Sequence, residues 1–342
     1  MISEDKTGLY RLVMGASDDS AANTLFKQLY IHPNLLRPVE DCVSRAEIAQ
    51  ALTMLLFNDL LSRVPDGRQY VLEKAASGAK VVLDHGALRT VACAYGRLPP
   101  GEAAIARILR PLGYSSAGTY PLRRLNMTGR AWAHEDLPES IAQFFVSELH
   151  PEMFSAAFQL AAHRIFASSQ DPLGPQDLEK LEVLSRDRSL RWSDAHNLLP
   201  RLYASFGRHH GLFDLVDYVT CLDESPEMAW IATEGNAFNH ATDRVGDIYS
   251  TSEAQRSLCR SIKDHIEVSQ NGGVMQTAFR AANVRRKFLQ GKEVVTREVP
   301  GSFYEFIQRT RLPSGQLDLS FDSGNATAIF KMTANDSAAS RP

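Results

Sequence analysis

The chain has 342 residues, 44% of them hydrophobic and 23% charged, with a formal net charge of −3. This is ordinary globular composition with room for two domains or one large one. A balance so near neutrality supplies no electrostatic drive toward nucleic acid or an anionic membrane surface.

The opening MISEDKTGLY lacks the basic and apolar regions of a secretory signal, and no apolar run reaches bilayer-spanning length. Cys42, Cys93, Cys221 and Cys259 are scattered without a CxxC pair. They read as reduced thiols of a cytoplasmic protein rather than a disulfide frame or zinc site. Residues 18–64 read as helical. Asp18 to Ser20 offer a cap for a helix carrying Leu25, Phe26, Leu29 and Tyr30, and Ser44 with Glu47 forms a capping-box pattern ahead of Ile48, Leu52, Leu55 and Leu56. Residues 80–95 are strand-like, 101–112 form a helix stopped at Gly113, and short strands follow at 119–122, 129–134 and 141–149.

A helix over 151–168, a turn-rich linker over 168–177 and a charged helix over 177–190 come next. Another helical stretch spans 193–209, with a break expected at Pro200. The second half resumes over 214–222 and 227–233 and continues into a strand around His240. A helix over 252–268, an ambiguous stretch over 278–288, a strand around Glu305 and a strand over 326–332 complete it, and the polar tail reads as disordered. The expected units are an N-terminal helical segment (1–79), a first sheet half (80–150), a helical insertion (151–210), a second half (211–333) and the tail (334–342).

Three segments repeat one spacing. VVLDHGALRTV places His85 four residues before Arg89, GNAFNHATDRV places His240 four before Arg244, and SFYEFIQR places Glu305 four before Arg309. An even step keeps each pair on one strand face, and in the second segment Phe238, His240, Thr242 and Arg244 share a face. Two histidines and a carboxylate form the facial triad of non-haem Fe(II) oxygenases, which leaves coordination positions open, although Mn, Co, Ni and Zn also suit such donors. Asp84 and Asn239, just before the histidines, fall on the opposite face as backbone or turn partners. The weak repeat between LDHGALRTV and FNHATDRVG is explained by two βαβββ-type halves, each contributing a ligand strand. The chain is thus expected to be an α+β protein.

The blocks DHGALRTV, FVSELHPEMF, AWIATEGNAFNHATDRV and REVPGSFYEFIQR resemble the DUF1338 family of 2-oxoadipate dioxygenase/decarboxylases, or hydroxyglutarate synthases. The resemblance runs from about residue 80 to 333. It implies a vicinal-oxygen-chelate fold, an open β-barrel related to that of 4-hydroxyphenylpyruvate dioxygenase. That enzyme also carries its last ligand in a Phe-x-Glu-x-x-Gln-Arg strand followed by a Gly-Asn segment, here SGNATAIF. The family's ligands fall on His85, His240 and Glu305, and its substrate-binding arginine falls on Arg89. The implied reaction consumes O2 and a 2-oxo acid, releases CO2 and yields a shortened hydroxy acid. For 2-oxoadipate the product is 2-hydroxyglutarate. The cofactor is Fe(II), and no flavin, haem or nicotinamide is required. The chain is shorter than bacterial members, which leaves open the loops that select the oxo acid.

Arg89 suits a substrate carboxylate, because guanidinium grips carboxylate as a two-pronged fork. Arg244, Arg309 and Gln276 are further substrate-binding candidates, with at least one arginine expected in a structural ion pair. His150, His163, His209 and His210 read as packing or capping residues, and Glu293 and Glu298 as lying outside the ligand strand. No P-loop, dinucleotide fingerprint or nucleophile elbow is present. Three alternatives stand beside the oxygenase reading: the same fold acting on another 2-oxo acid, a redox-inert metal lyase or isomerase, and a non-catalytic small-molecule binder. No nucleic-acid or membrane partner is expected.

Overall fold

A computed structural model describes residues 4–270 and 272–321. Its N-terminal part is helical: α1 (Gly8–Ala16), α2 (Asp19–Gln28), a short strand β1 (Cys42–Ser44), α3 (Arg45–Arg63) and α4 (Pro65–Ala76). Asp18 caps α2 by accepting the Ala21 N–H, and Ser44 and Glu47 form the predicted capping box of α3. Helix α1 was not expected. It carries Leu9, Leu12 and Val13 on one buried stripe, but it contains Gly8 and Gly15, which weaken the helical signal.

The sheet opens with β2 (Leu83–Val91), α5 (Ala103–Leu109), β3 (Tyr114–Leu122), β4 (Met127–His134) and β5 (Gln143–Leu149). Then come α6 (Ala156–Phe166), α7 (Pro175–Asp187), β6 (Ser189–Arg191), which pairs with β1, and α8 (Trp192–Ala204). Helix α8 runs through Pro200 without the expected break. A proline inside a helix costs about 3 kcal/mol. Burial of Leu198, Leu199 and Leu202 on the same helix outweighs it at roughly 1.5–3 kcal/mol each.

The stretches before His240 are α9 (Leu215–Glu224) and α10 (Pro226–Glu234), and the second run of sheet strands starts only at β7 (Phe238–Arg244). Gly235, with φ of 66°, closes α10 in a conformation that disfavours any side chain and turns the chain toward β7. Helix α11 (Ile248–Ser257) is earlier and shorter than expected, because Asp247 caps it by accepting the Tyr249 and Ser250 N–H groups. The end of the expected helix is instead β8 (Glu267–Val268). The ambiguous stretch resolves into β9 (Val274–Ala278) and β10 (Asn283–Gln290). Strand β10 forms a separate hairpin with β11 (Glu293–Pro300) before β12 (Phe303–Arg309). The strand expected over 326–332 and the tail lie outside the described residues.

Eight strands form one curled sheet in the order β3-β4-β5-β2-β7-β12-β9-β8. In the first half, β2 lies parallel to β5, and β4 and β3 follow outward. In the second, β7 lies parallel to β12, and β9 and β8 follow outward. The halves are mirror orders meeting at the antiparallel β2–β7 seam, the expected α+β arrangement of two βαβββ-type units. One sheet face, carrying Leu88, Phe144, Val146, Phe238, Tyr304 and Phe306, packs into the main apolar core with the N-terminal helices. The other carries His85, Ala87 and Arg89 from β2 and Glu305 and Arg309 from β12. Among the described residues, no helix is long and apolar enough to cross a membrane.

Candidate metal centre

The β2–β7 seam contains two bulges. Leu83 pairs with Asp243 and His85 with Thr242, so Asp84 is the extra residue on β2. Ala87 pairs with His240 and Leu88 with Phe238, so Asn239 is the extra residue on β7. Each bulge interrupts the alternation of faces. This corrects two expectations. Phe238 leaves the face of His240 and joins the core against Phe144 and Phe206, where Gly86 has no Cβ to obstruct its ring. Asp84 and Asn239 do not turn away from the histidines but lie beside them. Asp84 Oδ1 is 2.9 Å from His85 Nδ1, and Asn239 Nδ2 is 3.2 Å from His240 Nδ1.

His85, His240 and Glu305 converge across β2, β7 and β12, all buried. Their donor atoms make a nearly equilateral triangle: 3.3 Å between the two Nε2 atoms, and 3.3 Å and 3.4 Å from those atoms to Glu305 Oε2. Neighbouring ligands on an ion with bonds near 2.1 Å stand roughly 3.0–3.4 Å apart. Two imidazoles and one carboxylate on three different strands thus fit one face of a divalent transition metal, with the other face free of protein donors from this set.

The residues around the triangle hold it in place. Thr242 Oγ1 donates to Glu305 Oε2 at 2.7 Å and lies 3.1 Å from His85 Nε2. Gln276 Nε2 donates to Glu305 Oε1 at 3.2 Å, so this residue orients the Glu305 carboxylate. The Phe303 ring stacks on His240 at 4.8 Å, and Phe321 meets His85 edge-on at 4.9 Å. Thr242 was legible only as a neighbour on the His240 face, and the sequence carried no signal for Phe321.

The three arginines separate. Arg309 places Nε and Nη2 on Asp84 and Nη1 on the Asp318 and Ser320 carbonyls. Arg244 reaches Asp84 Oδ2 at 2.8 Å and the Glu139 carbonyl. Both are thus engaged in structural ion pairs with the residue behind His85. Arg89 lies fully buried on the His85 face of β2, its guanidinium 5.0 Å from the Trp230 ring centre. The other histidines have local partners: His210 with the Ala232 carbonyl, His209 with the Ser205 carbonyl, His150 with Thr128 and His163 with the Tyr95 ring. Glu293 and Glu298 belong to the β10–β11 hairpin.

Electrostatics follow the contacts. Burial alone would raise the Glu305 carboxyl, but the two imidazoles and Thr242 outweigh it and bring it down to about 2. Burial also opposes ionisation of Asp84, yet Arg309, the bond to His85 and Arg244 hold it well below the usual carboxylate range. Burial lowers His240 to about 3, with the charges of His85 and Arg89 acting in the same direction. Burial lowers Arg89 to about 10 against the pull of Glu227, so it remains a cation at neutral pH.

Comparison with known proteins adds the lineage. The family model described as 2-oxoadipate dioxygenase/decarboxylase matches residues 54–333. A crystal structure from Ralstonia eutropha JMP134, of a protein assigned to the glyoxalase superfamily, is 53% identical. It aligns over 93% of this chain and 99% of its own, with a TM-score of 0.89. The rice (Oryza sativa) hydroxyglutarate synthase, solved with 2-oxoadipate, shares the fold at 19% identity, over 87% of this chain and 97% of that one, with a TM-score of 0.67. The chloroplastic 2-oxoadipate dioxygenase/decarboxylase of Arabidopsis thaliana is 28% identical over 131 residues, 32% of this chain and 34% of the plant protein. The matched part is thus about a third of that relative's length.

Proposed function

The chain belongs to the 2-oxoadipate dioxygenase/decarboxylase family, and from that membership we propose that it is a metal-dependent oxygenase that oxidatively decarboxylates a 2-oxo acid. The carrying observation is the buried triangle of His85, His240 and Glu305. Fe(II) held there would orient the oxo acid and activate O2. His85, His240 and Glu305 would hold the ion by three donors and would leave coordination positions open for the reactants. Thr242 and Gln276 fix the Glu305 carboxylate, and Asp84 fixes the His85 ring, so the donors need little rearrangement. Arg89, cationic and immobilised against Trp230, binds a substrate carboxylate and sets the direction of the carbon chain. The surrounding Phe145, Phe303 and Phe321 rings keep the site dry.

The proposed substrate is 2-oxoadipate. One O2 and one oxo acid give 2-hydroxyglutarate and one CO2, and the substrate supplies the electrons. The test is oxygen uptake by protein stripped of metal and reloaded with Fe(II), with and without 2-oxoadipate. Uptake matched by one CO2 per turnover supports the whole reading. Iron bound in good yield without uptake rejects this substrate and directs the assay to other 2-oxo acids. The limited span of the match to the curated plant relative favours keeping that second reading. Activity that persists without oxygen would overturn the oxygenase reading in favour of a lyase or isomerase.

A further inference from the structure

Strand register puts one more polar side chain beside the triangle. Gln143 on β5 pairs with His85 on β2, as Phe303 on β12 pairs with His240 on β7. Paired residues on neighbouring strands share a sheet face. Phe303 uses its place to stack on the His240 ring. Gln143 puts an amide in the mirrored place, and Phe145, two residues on, packs with Ala87 and Phe321 on the same face. Gln143 is 1% exposed.

One contact fixes which way round this amide lies. Its nitrogen is 3.3 Å from the Leu319 carbonyl oxygen. A carbonyl only accepts, so the end facing it is the donor and the other end is Oε1. The Leu319 carbonyl is itself held, because Arg309 Nη1 bonds the Asp318 and Ser320 carbonyls on either side and Tyr120 Oη accepts the Phe321 N–H. Gln143 Oε1 is buried and has no hydrogen-bond partner among the described residues. A buried acceptor without a donor is costly, and such a group beside a candidate metal centre calls for a ligand that donates.

We propose that Gln143 distinguishes the hydroxy acid from the oxo acid. At neutral pH a 2-oxo dicarboxylate offers carboxylates and a ketone, all of them acceptors. The hydroxy acid formed from it carries one O–H donor, and Oε1 accepts that hydroxyl. A keto oxygen in the same place would meet Oε1 lone pair against lone pair. Gln143 is therefore a specificity residue for the product end of the reaction, and it sets how firmly the hydroxy acid is held relative to the oxo acid. An apolar side chain at this position would forfeit that discrimination. The proposal rests on the reading that the metal-loaded site takes an oxo acid.

The test measures equilibrium binding of 2-hydroxyglutarate and of 2-oxoglutarate, which carries a ketone at the same carbon, to the full chain loaded with Zn(II). Zinc fills the site without redox chemistry. Gln143→Met keeps the length of the side chain and removes the acceptor. The ratio of the two dissociation constants cancels any loosening caused by the lost Leu319 bond, because both acids experience it. The preference for the hydroxy acid over the oxo acid should fall by roughly 5–10-fold in the variant, at unchanged zinc content. An unchanged ratio with both acids bound overturns the proposal alone. Failure of both acids to bind the zinc-loaded wild-type chain overturns the oxo-acid reading and the proposal together. Should the variant fail to fold, a crystal structure of the wild-type chain with zinc and 2-hydroxyglutarate decides. A hydroxyl within about 3.2 Å of Gln143 Oε1 is the expected result, and a hydroxyl turned to other partners overturns the proposal.

Discussion

Arg309 Nη2 lies 2.8 Å from Asp84 Oδ1, the same oxygen that sits 2.9 Å from His85 Nδ1. A residue at the end of β12 thereby reaches, through one carboxylate, a candidate ligand on β2. Asp84→Asn removes the charge that compensates two arginines and the acceptor that orients His85. Breaking a buried pair by removing one partner costs about 3–5 kcal/mol. We expect a stability loss of that order in urea titration, and zinc affinity lowered by roughly 10–100-fold. Unchanged affinity would mean that His85 is held by its packing alone.

His240→Ala removes one vertex of the triangle while leaving the sheet pairing to the backbone. Iron content after reloading should fall from one per chain to near zero, with turnover abolished and the far-UV circular dichroism spectrum retained. Full oxygen consumption by this variant would sink the ligand assignment.

Arg89→Lys keeps the charge and discards the fork. Losing one charge-assisted hydrogen bond to the substrate, at about 2 kcal/mol, corresponds to roughly thirtyfold in binding. The expected outcome is a KM for the oxo acid raised by about that factor at unchanged iron content. A variant with wild-type KM would assign Arg89 to the packing of Trp230 instead.

His134 gives the chain an acid-sensitive point away from the triad. Burial lowers its imidazole to about 4, while its Nδ1 accepts the Asp136 and Leu137 N–H groups. Above pH 6.5 both folded and unfolded states are neutral here, and stability is unaffected. Between 6.5 and about 4 the unfolded chain takes up a proton that the folded chain refuses, so stability falls as pH falls. The contribution at the lower end is about 3 kcal/mol. His134→Asn, which retains an acceptor near Nδ1, should flatten the decline in unfolding free energy between pH 6.5 and 4.5. An unaltered slope would place the acid sensitivity elsewhere.

The sequence made the candidate ligands legible because His85, His240 and Glu305 stand in strand-like runs at matching distances from arginines. The mirrored halves were legible through the same weak repeat. The bulges were not. Nothing in LDH or FNH marks one residue as extra, since a bulge arises from how two distant strands register against each other. That missing information misplaced Asp84, Asn239 and Phe238 together. Similarly, Arg244 and Arg309 could be assigned to Asp84 only once three strands were adjacent. Helix α11 was misplaced for a local reason, because the cap at Asp247 lies before the stretch whose apolar pattern suggested a helix.

The mirror order of the sheet has a temporal meaning. Phe145 on β5 faces Ala87, two residues beyond His85, as Glu305 on β12 faces Thr242, two beyond His240. The first half therefore presents an aromatic ring where the second presents the candidate ligand carboxylate. During synthesis the first half emerges with one imidazole of the triad and no acidic partner at the matching position. The complete donor set exists only after β12 has been released and has slotted in parallel to β7. A metal ion held by this triad would thus be captured only after β12 has formed, and ribosome-bound chains that end before Phe303 should emerge iron-free.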